Sequence, residues 1–180
     1  LKRGGDTFHD HERHPVQYLT TSGILAVSSN TGTIKIGEML SNDKLHSYLT
    51  KFGIGVSTGS GLPGESKGLF RPVSDWSGTT APTVAFGQGY SVTAMQATSI
   101  FATIANDGVR VSPTVIAGTS DTTGKFTQAT ARTTERVVSA KTAQQVRLMM
   151  ESVVSGQGTA PSAAIPGYRV AGKTGTAERY

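Results

Sequence analysis

The first third of the chain alternates apolar and polar positions in a pattern that predicts helices separated by a short polar turn. Apolar residues recur near helical spacing from Val16 to Val27, and again from about Thr33 to Leu40. The polar run Ser28-Ser29-Asn30 separates the two stretches. We therefore expect a helix that stops at this run, a tight turn, and a second helix after it.

A third helix is predicted next, followed by a long stretch without regular structure. Asn42 and Asp43 are both suitable N-caps, and the apolar positions after them end at Gly53, a typical helix stop. From Gly53 to Gly89, glycine and proline recur too often for long helices or strands. A loop of this length in a compact domain is usually functional or ordered by packing, so we expect a site nearby.

The second half of the chain is predicted to contain both helices and strands. Thr93-Ala94-Met95-Gln96 has the form of a capping box, and the helix that it begins should stop at Asn106-Asp107-Gly108. The β-branched residues between Val109 and Ile116 then predict a strand, and Asp121-Thr122-Thr123-Gly124 predicts a turn.

A last helix and a last strand complete the prediction. Ser139 is a suitable cap for a helix whose apolar positions repeat at three and four residues as far as Val154. After that helix, residues 165 to 180 are predicted to form a strand that carries Lys173-Thr174-Gly175-Thr176. The mixture of elements indicates an α/β (α+β) protein.

Composition narrows the class of protein. A chain of 180 residues suits one folding unit, or a piece of one, and both of its ends read as cuts in a longer protein. The net charge of +5 comes from scattered basic residues without interleaved aromatic residues, so we expect no nucleic-acid partner. With no cysteine, the chain can form neither disulfides nor cysteine metal sites. Its sequence has no apolar stretch long enough for a signal peptide or a membrane helix.

Three histidines close to the start raise the question of a metal site. His9, His11 and His14 do not form the helical i, i+4 pair, with a carboxylate to complete the set, that zinc sites often use. We interpret residues 1 to 15 as a surface loop. No metal or organic cofactor is implied.

Two short motifs carry the chemical signal. Penicillin-binding proteins and serine β-lactamases share three motifs, Ser-x-x-Lys, Ser-x-Asn and Lys-Thr-Gly. The second and third are present here in that order, as Ser28-Ser29-Asn30 and Lys173-Thr174-Gly175-Thr176. Each alone is weak evidence, because Ser-x-Asn arises by chance in a serine-rich chain and also suits an ordinary turn.

The residues around these motifs strengthen the assignment. The chain resembles class B penicillin-binding proteins, of the septal or elongation transpeptidase type, over nearly its whole length. The matching segments are Leu25-Ala26-Val27-Ser28-Ser29-Asn30, Phe52-Gly53-Ile54-Gly55, Leu62-Pro63-Gly64-Glu65, Phe86-Gly87-Gln88-Gly89 and Ala171-Gly172-Lys173-Thr174-Gly175-Thr176-Ala177. The resemblance implies that residues 1–180 are part of a transpeptidase domain. Its expected fold is an antiparallel sheet, carrying Lys173, that packs against helices, with a helical lobe that presents Ser28.

The resemblance also implies roles for the motif residues. Ser28 would relay a proton toward the departing D-Ala amine, and Asn30 would hold the substrate amide and orient the lysine of the first motif. Lys173 would add positive charge that favours the substrate carboxylate. The alternatives are an ordinary turn for Ser28 and Asn30, and a surface lysine for Lys173.

The rest of the third motif would bind substrate. The hydroxyls of Thr174 and Thr176 would contact the terminal carboxylate of a peptidoglycan stem peptide ending in D-Ala-D-Ala, or of a β-lactam that mimics it. The Thr176 amide would donate to the oxyanion. Gly175 has no side chain, so substrate could lie against the backbone as an added strand.

The serine nucleophile is the missing part. A Ser-x-x-Lys sequence occurs at Ser41-Asn42-Asp43-Lys44, but it follows the second motif and reads better as a helix cap. We expect that the nucleophile lies outside these residues and that the chain alone does not acylate. The parent would be a D,D-transpeptidase on the extracytoplasmic face of a bacterial membrane, with cell-wall synthesis or division proteins as partners. The alternatives are a catalytically dead penicillin-recognising sensor or scaffold, and a soluble β-lactamase, for which no deacylating carboxylate stands out.

Overall fold

The fold is built from helices and short antiparallel strand pairs. A computed structural model describes residues 1–129 and 132–176 of the chain. The elements of this part are β1 (Lys2–Arg3), β2 (Asp6–Thr7), α1 (Thr21–Ala26), α2 (Asn30–Gly37), α3 (Asn42–Lys51), α4 (Thr80–Ala85), α5 (Ala94–Ala105), β3 (Val109–Val111), β4 (Gly118–Ser120), β5 (Phe126–Gln128), β6 (Thr134–Arg136) and α6 (Ala140–Val154). The strands pair as β1 with β2, β3 with β6, and β4 with β5. The predicted α+β class with antiparallel strands is confirmed. Among these residues, no helix is both long enough and apolar enough to cross a bilayer.

The packing of α1 against α6 forms the centre of the structure. Ala26 is the buried residue of α1, and Met150, Val153 and Val154 are buried on α6. The hydroxyls of Ser22 and Ser152 lie 3.1 Å apart and link the two helices. Burial of these apolar side chains holds the end of α1 in place, and the polar turn follows that end directly.

The first helix begins later than its hydrophobic pattern predicts. The Thr20 hydroxyl accepts a hydrogen bond from the Gly23 amide at 3.1 Å, and this cap sets the start of α1. The predicted start at Val16 is therefore wrong. Val16 and Tyr18 are 86% and 97% exposed, so apolar spacing in this segment does not correspond to a buried helix face.

Serine hydroxyls also set the starts of the next two helices. Ser29 accepts from the Gly32 amide, so α2 begins at Asn30 and ends at Gly37, about three residues earlier than predicted at each end. Ser41 accepts from the Lys44 amide, so the cap of α3 is Ser41 and not Asn42 or Asp43. The predicted end of this helix before Gly53 is confirmed.

The predicted long excursion from 53 to 89 is confirmed as mostly irregular chain. It contains one turn of 3-10 helix, Val73–Asp75, and the short helix α4. Glu65 draws part of it together by accepting hydrogen bonds from the Ser57 hydroxyl and from the hydroxyl and amide of Thr58. These hydrogen bonds, with the largest contribution from Ser57, lower the pKa of Glu65 to about 2.

Gln96 joins this excursion to α5. The predicted capping box is present, because the Thr93 hydroxyl accepts from the Gln96 amide and the Gln96 side chain accepts from the Thr93 amide at 2.7 Å. The same side chain is fully buried and directs its Nε2 at the carbonyls of Gly53, Val56 and Lys67, at 2.8 to 3.1 Å. One residue therefore caps a helix and anchors three points of the loop.

The strand predicted from Val109 to Ile116 is shorter than expected. It ends at Val111 as β3, and Pro113 cannot continue the hydrogen-bond ladder because it has no N–H. The turn predicted at Asp121 is confirmed between β4 and β5, where Asp121 Oδ1 accepts from the amides of Thr123 and Lys125.

The last helix is confirmed and the last strand is wrong. Ser139 caps α6 by accepting from the Thr142 amide at 3.0 Å. Residues 165–176 do not form a strand, and the end of the predicted strand, 177–180, lies outside the described residues. The reason is that this segment lies along α6: the Gly172 amide donates to the Met150 carbonyl, and Arg169 pairs with Glu151 at 2.8 Å.

We predict that Gln96→Leu lowers the free energy of unfolding by about 3 kcal/mol or more. Leucine keeps most of the volume but removes the two amide protons that the Gly53, Val56 and Lys67 carbonyls share, and it also loses the acceptor for the Thr93 amide. An unsatisfied buried polar group costs about 1–3 kcal/mol. Chemical denaturation measures the change. Gln144→Leu, on the exposed face of α6, is the control and should shift stability by less than about 0.5 kcal/mol. Equal effects of the two substitutions would contradict the role of Gln96.

Candidate active site

Ser28 lies in the predicted turn between α1 and α2, in a backbone conformation that serine rarely adopts. Its φ is 55°, in the left-handed region. The Ser28 amide donates to the Leu25 carbonyl at 3.2 Å, and the Ser29 amide donates to the Ile24 carbonyl at 3.0 Å. This pair of hydrogen bonds is the Schellman motif, in which glycine usually occupies the left-handed position.

A serine in this position costs about 1 kcal/mol relative to glycine, because its Cβ crowds the backbone. Strained backbone of this kind concentrates at functional sites, where the surrounding structure holds it. Ser28 is the first residue of the Ser-x-Asn motif, so the strain lies at a residue singled out by its sequence motif.

Lys173 meets Ser28 across the fold. The Lys173 ammonium donates to Ser28 Oγ at 2.6 Å and to the carbonyl of Thr174 at 2.8 Å. The two residues are 145 positions apart in the chain. The α1–α6 pair brings them together, because α1 ends next to Ser28, while the Gly172 amide is bound to α6. The structure thus joins the two motifs in one site.

Partial burial lowers the pKa of Lys173. Desolvation disfavours the charged ammonium and lowers the pKa of Lys173 below its usual value of 10.5. A lowered lysine pKa in the folded state means that the charged form costs stability at low pH, and that this cost fades as the pH rises through the folded-state pKa toward 10.5. The amine is therefore easier to deprotonate than a surface lysine.

Asn30 begins α2 and faces a different neighbour. Its Nδ2 donates to the His9 carbonyl at 3.3 Å. The side-chain nitrogen is thereby held by the N-terminal segment, which fixes the plane of the amide. Ser28 and Asn30 are both half-buried and flank Ser29, which is only 4% exposed.

The remaining residues of the third motif are half-buried at Thr174 and exposed at Gly175 and Thr176. Thr174 Oγ1 lies 2.8 Å from Thr159 Oγ1, and Gly175 and Thr176 are exposed. A Cβ at Gly175 would meet no described atom within 4 Å. Among the described residues, none crowds this position of the backbone. Whether Thr174, Gly175 and Thr176 bind substrate stays a prediction.

Two site residues were missed from the sequence. Thr159 contacts Thr174 and is held by the hydrogen bond of its own amide to the Ala26 carbonyl at 3.2 Å. Asp10 accepts hydrogen bonds from the Ser29 hydroxyl, from Thr31 and from His14. Neither residue stands in a recognisable motif, so only its position in the fold reveals it. Within 1–129 and 132–176, no three histidine or carboxylate side chains lie close enough together to hold a metal ion.

Ser41 is placed as a helix cap. Its Oγ accepts from the Lys44 amide at 3.3 Å, and the side chain of Lys44 is exposed. This geometry gives the Ser41 hydroxyl a structural role at the start of α3. Among the described residues, the Lys44 ammonium makes no hydrogen bond to the Ser41 hydroxyl.

Similar proteins of known family support the assignment that the motifs indicate. The family model of the penicillin binding protein transpeptidase domain matches residues 1–180. The penicillin-binding protein PbpB of Mycobacterium tuberculosis is 45% identical over 99% of this chain and 27% of its own length. The stage V sporulation protein D of Bacillus subtilis is 36% identical over 99% of this chain and 26% of its own length. The chain thus spans about a quarter of the length of these curated relatives.

Solved structures share the fold. The crystal structure of penicillin binding protein 3 from Mycobacterium tuberculosis, complexed with aztreonam, superposes with a TM-score of 0.96 at 45% identity. The superposition covers 99% of this chain and 41% of the chain of penicillin binding protein 3. A peptidoglycan synthetase from Bifidobacterium adolescentis gives a TM-score of 0.86 at 34% identity, over 98% and 34% of the two chains.

We predict that Ser28→Gly is more stable than Ser28→Ala by about 1 kcal/mol. Both variants lose the Oγ that Lys173 contacts, so their difference isolates the left-handed backbone, which alanine tolerates poorly and glycine tolerates well. Urea denaturation of the two variants side by side measures it. An alanine variant as stable as the glycine variant would show that this turn carries no strain.

Proposed function

We propose, since this chain belongs to the penicillin-binding protein transpeptidase family, that residues 1–180 supply one half of the active-site cleft of a serine-type peptidoglycan D,D-transpeptidase. The parent enzyme would crosslink stem peptides ending in D-Ala-D-Ala through an acyl-serine intermediate. Penicillins would inhibit it by mimicking that substrate. The related penicillin binding protein 3 is known in complexes with aztreonam and with ampicillin.

The hydrogen bond between Lys173 and Ser28 is the observation that carries this proposal. Acyl transfer needs a group that delivers a proton to the departing amine when the peptide bond breaks. A hydroxyl that contacts an easily deprotonated lysine is suited to relay protons, because the ammonium can replace the proton that the hydroxyl gives up. Ser28 then protonates the D-Ala amine, and Lys173 restores the Ser28 hydroxyl.

The open side of the third motif is suited to hold the substrate. The half-buried ammonium of Lys173 creates a positive potential that attracts the terminal carboxylate. The Thr174 and Thr176 hydroxyls donate to that carboxylate, and the Thr176 amide donates to the oxyanion. The free space beside Gly175 lets the peptide approach the backbone. Asn30, with its nitrogen held by His9, presents its side-chain oxygen to the substrate amide or to the lysine of the first motif.

The nucleophile belongs to a part of the polypeptide outside these residues. The 180 residues contain one Ser-x-x-Lys sequence, at Ser41 to Lys44, and its serine caps α3. The first motif of the parent supplies the serine that forms the acyl-enzyme, and the isolated chain does not acylate. The parent acts at the extracytoplasmic face of the membrane, beside other proteins of cell-wall synthesis or division.

A chimera with the Mycobacterium tuberculosis relative tests this function. In the chimera, residues 1–180 replace the segment of PbpB that they match. We predict that fluorescent penicillin labels the chimera covalently and leaves the isolated chain unlabelled. Ser28→Ala and Lys173→Met should each slow labelling of the chimera about 100-fold, as expected for loss of a proton-transfer group. Ser41→Ala is the matched control and should have no effect.

Two outcomes would count against the proposal. Labelling of the isolated chain that disappears with Ser41→Ala would place the nucleophile in α3. A folded chimera that stays unlabelled would favour the catalytically dead sensor or scaffold instead. Circular dichroism of the chimera and its variants verifies folding in each case.

A further inference from the structure

The N-terminal segment crosses the Ser28-Ser29-Asn30 turn and holds it through one carboxylate. Asp10 Oδ1 accepts from the Thr31 amide at 2.8 Å, and Oδ2 accepts from the Ser29 hydroxyl at 2.9 Å. The Thr31 hydroxyl adds a longer contact to Oδ2, at 3.3 Å. A carboxylate in this place also faces the positive N-terminal end of α2, which favours negative charge.

Ser29 couples this carboxylate to the turn. Its buried Oγ accepts from the Gly32 amide at 3.0 Å while its proton goes to Asp10. Both functions of the hydroxyl are therefore used, and its orientation is set by Asp10. Because Ser29 stands between Ser28 and Asn30, fixing Ser29 limits the movement of both neighbours. The adjacent His9 carbonyl fixes the Asn30 side chain directly.

His14 completes the arrangement with a feature that depends on protonation. Its Nε2 lies 2.9 Å from Asp10 Oδ2, and its Nδ1 lies 2.8 Å from the Pro15 carbonyl. Both partners are acceptors only, so both ring nitrogens must donate for both hydrogen bonds to form. Only the protonated imidazolium can do this, because a neutral ring carries one N–H.

Few other charged groups face this pair. Lys35 of α2 lines the same open cavity of about 700 Å³ as Asp10 and His14. Helix α1 contributes no charged residue, and Glu38 at the end of α2 pairs with Arg3. Among the described residues, Tyr18 also lines this cavity, and the segment itself carries His9, His11, Glu12 and Arg13. Lys35 is the cation on this facing helix, and the carboxylate of Asp10, in direct contact with His14, favours the protonated ring.

The directions of the pKa shifts agree with this geometry. Burial alone would raise the pKa of Asp10, but the hydrogen bonds from Thr31, His14 and Ser29 outweigh it and lower that pKa. The hydrogen bonds of His14 to Pro15 and to Asp10 raise the pKa of His14 above 6.5. The stabilisation from Asp10 is lost as the pH falls through its lowered pKa, and that from His14 is lost as the pH rises through its raised pKa.

We propose that Asp10 is a positioning residue for the Ser28-Ser29-Asn30 turn, and that protonated His14 holds the Asp10 carboxylate in place through its hydrogen bond. The proposal rests on the proposed transpeptidase function of the same turn. Asp10 contacts neither Lys173 nor the expected substrate position among the described residues, and acts through Ser29 and Thr31. The turn is held most firmly between the two folded-state pKa values, that of Asp10 below and that of His14 above.

Nuclear magnetic resonance on the isotope-labelled 180-residue chain tests this role without any substrate. In the wild type, the Ser28 amide and the Asn30 side-chain amide should shift between pH 5 and pH 9 with an inflection that coincides with titration of the His14 ring. His14→Gln should remove this inflection. Asp10→Ala should remove it too, and at a fixed pH it should speed exchange of the Thr31 amide about tenfold, as expected for loss of one hydrogen bond.

Asp121→Ala is the matched control. Asp121 also accepts several hydrogen bonds from its neighbours, but it lies in the β4–β5 turn. Its loss should leave the inflection and the Thr31 exchange rate unchanged. Ser28 and Asn30 signals that stay flat while His14 titrates would overturn the proposal, as would equal effects of the two alanine substitutions. If Asp10→Ala does not fold, His14→Gln still decides the question, because it keeps the carboxylate.

The outcome is independent of the chimera experiment. An unlabelled chimera with an intact inflection in the chain would reject the transpeptidase function alone. A labelled chimera with a flat response would reject the positioning role of Asp10 alone.

Discussion

The contact between the Lys173 ammonium and the Ser28 hydroxyl is the interaction on which the site depends. It joins two short motifs through residues that are 145 positions apart in the chain, and neither motif alone contains both the hydroxyl and the amine of this contact. The contact exists because α1 packs against α6: the Ser28 turn follows the end of α1, and the segment before Lys173 is bound to α6 through the Gly172 amide. Ala26, Val153 and Val154 are buried in this packing and thus fix the relative positions of the two motifs, although none of the three belongs to either motif. The hydrophobic core thereby sets the distance between the Lys173 ammonium and the Ser28 hydroxyl.

Irregular backbone holds the polar groups of the site. Ser28 occupies a left-handed position that glycine would fill at less cost, and Lys173 belongs to a segment without secondary structure. Such backbone keeps one conformation only if other groups restrain it. Here Asp10 and the His9 carbonyl restrain the turn, while α6 and Thr159 restrain the lysine segment. A turn held on several sides can present a hydroxyl in a fixed direction, which proton transfer requires.

Sequence reasoning succeeded where local interactions decide the structure. The capping box at Thr93, the Ser139 cap of α6 and the turn at Asp121 are all encoded within a few residues, and all were confirmed. The α+β class followed from the mixture of predicted helices and strands, and the family followed from two motifs and their flanks. The start of α1 was predicted wrongly because Val16 and Leu19 have helical spacing although both are exposed, while the deciding hydrogen bond is accepted by the Thr20 hydroxyl. The last strand was wrong because a strand needs a partner, and this segment lies on a helix.

Asp10 could not be found from the sequence for a different reason. It stands in a polar stretch with three histidines nearby, and its importance comes from contacts with Ser29 and Thr31, about 20 residues away.

A double-mutant cycle tests the contact between Ser28 and Lys173 most directly, with Ser28→Ala, Lys173→Met and the double variant compared in free energy of unfolding. The account predicts a coupling of about 1–2 kcal/mol, typical of a charged hydrogen bond that is partly buried. A coupling indistinguishable from zero would show that the two motifs do not interact and would contradict the shared site.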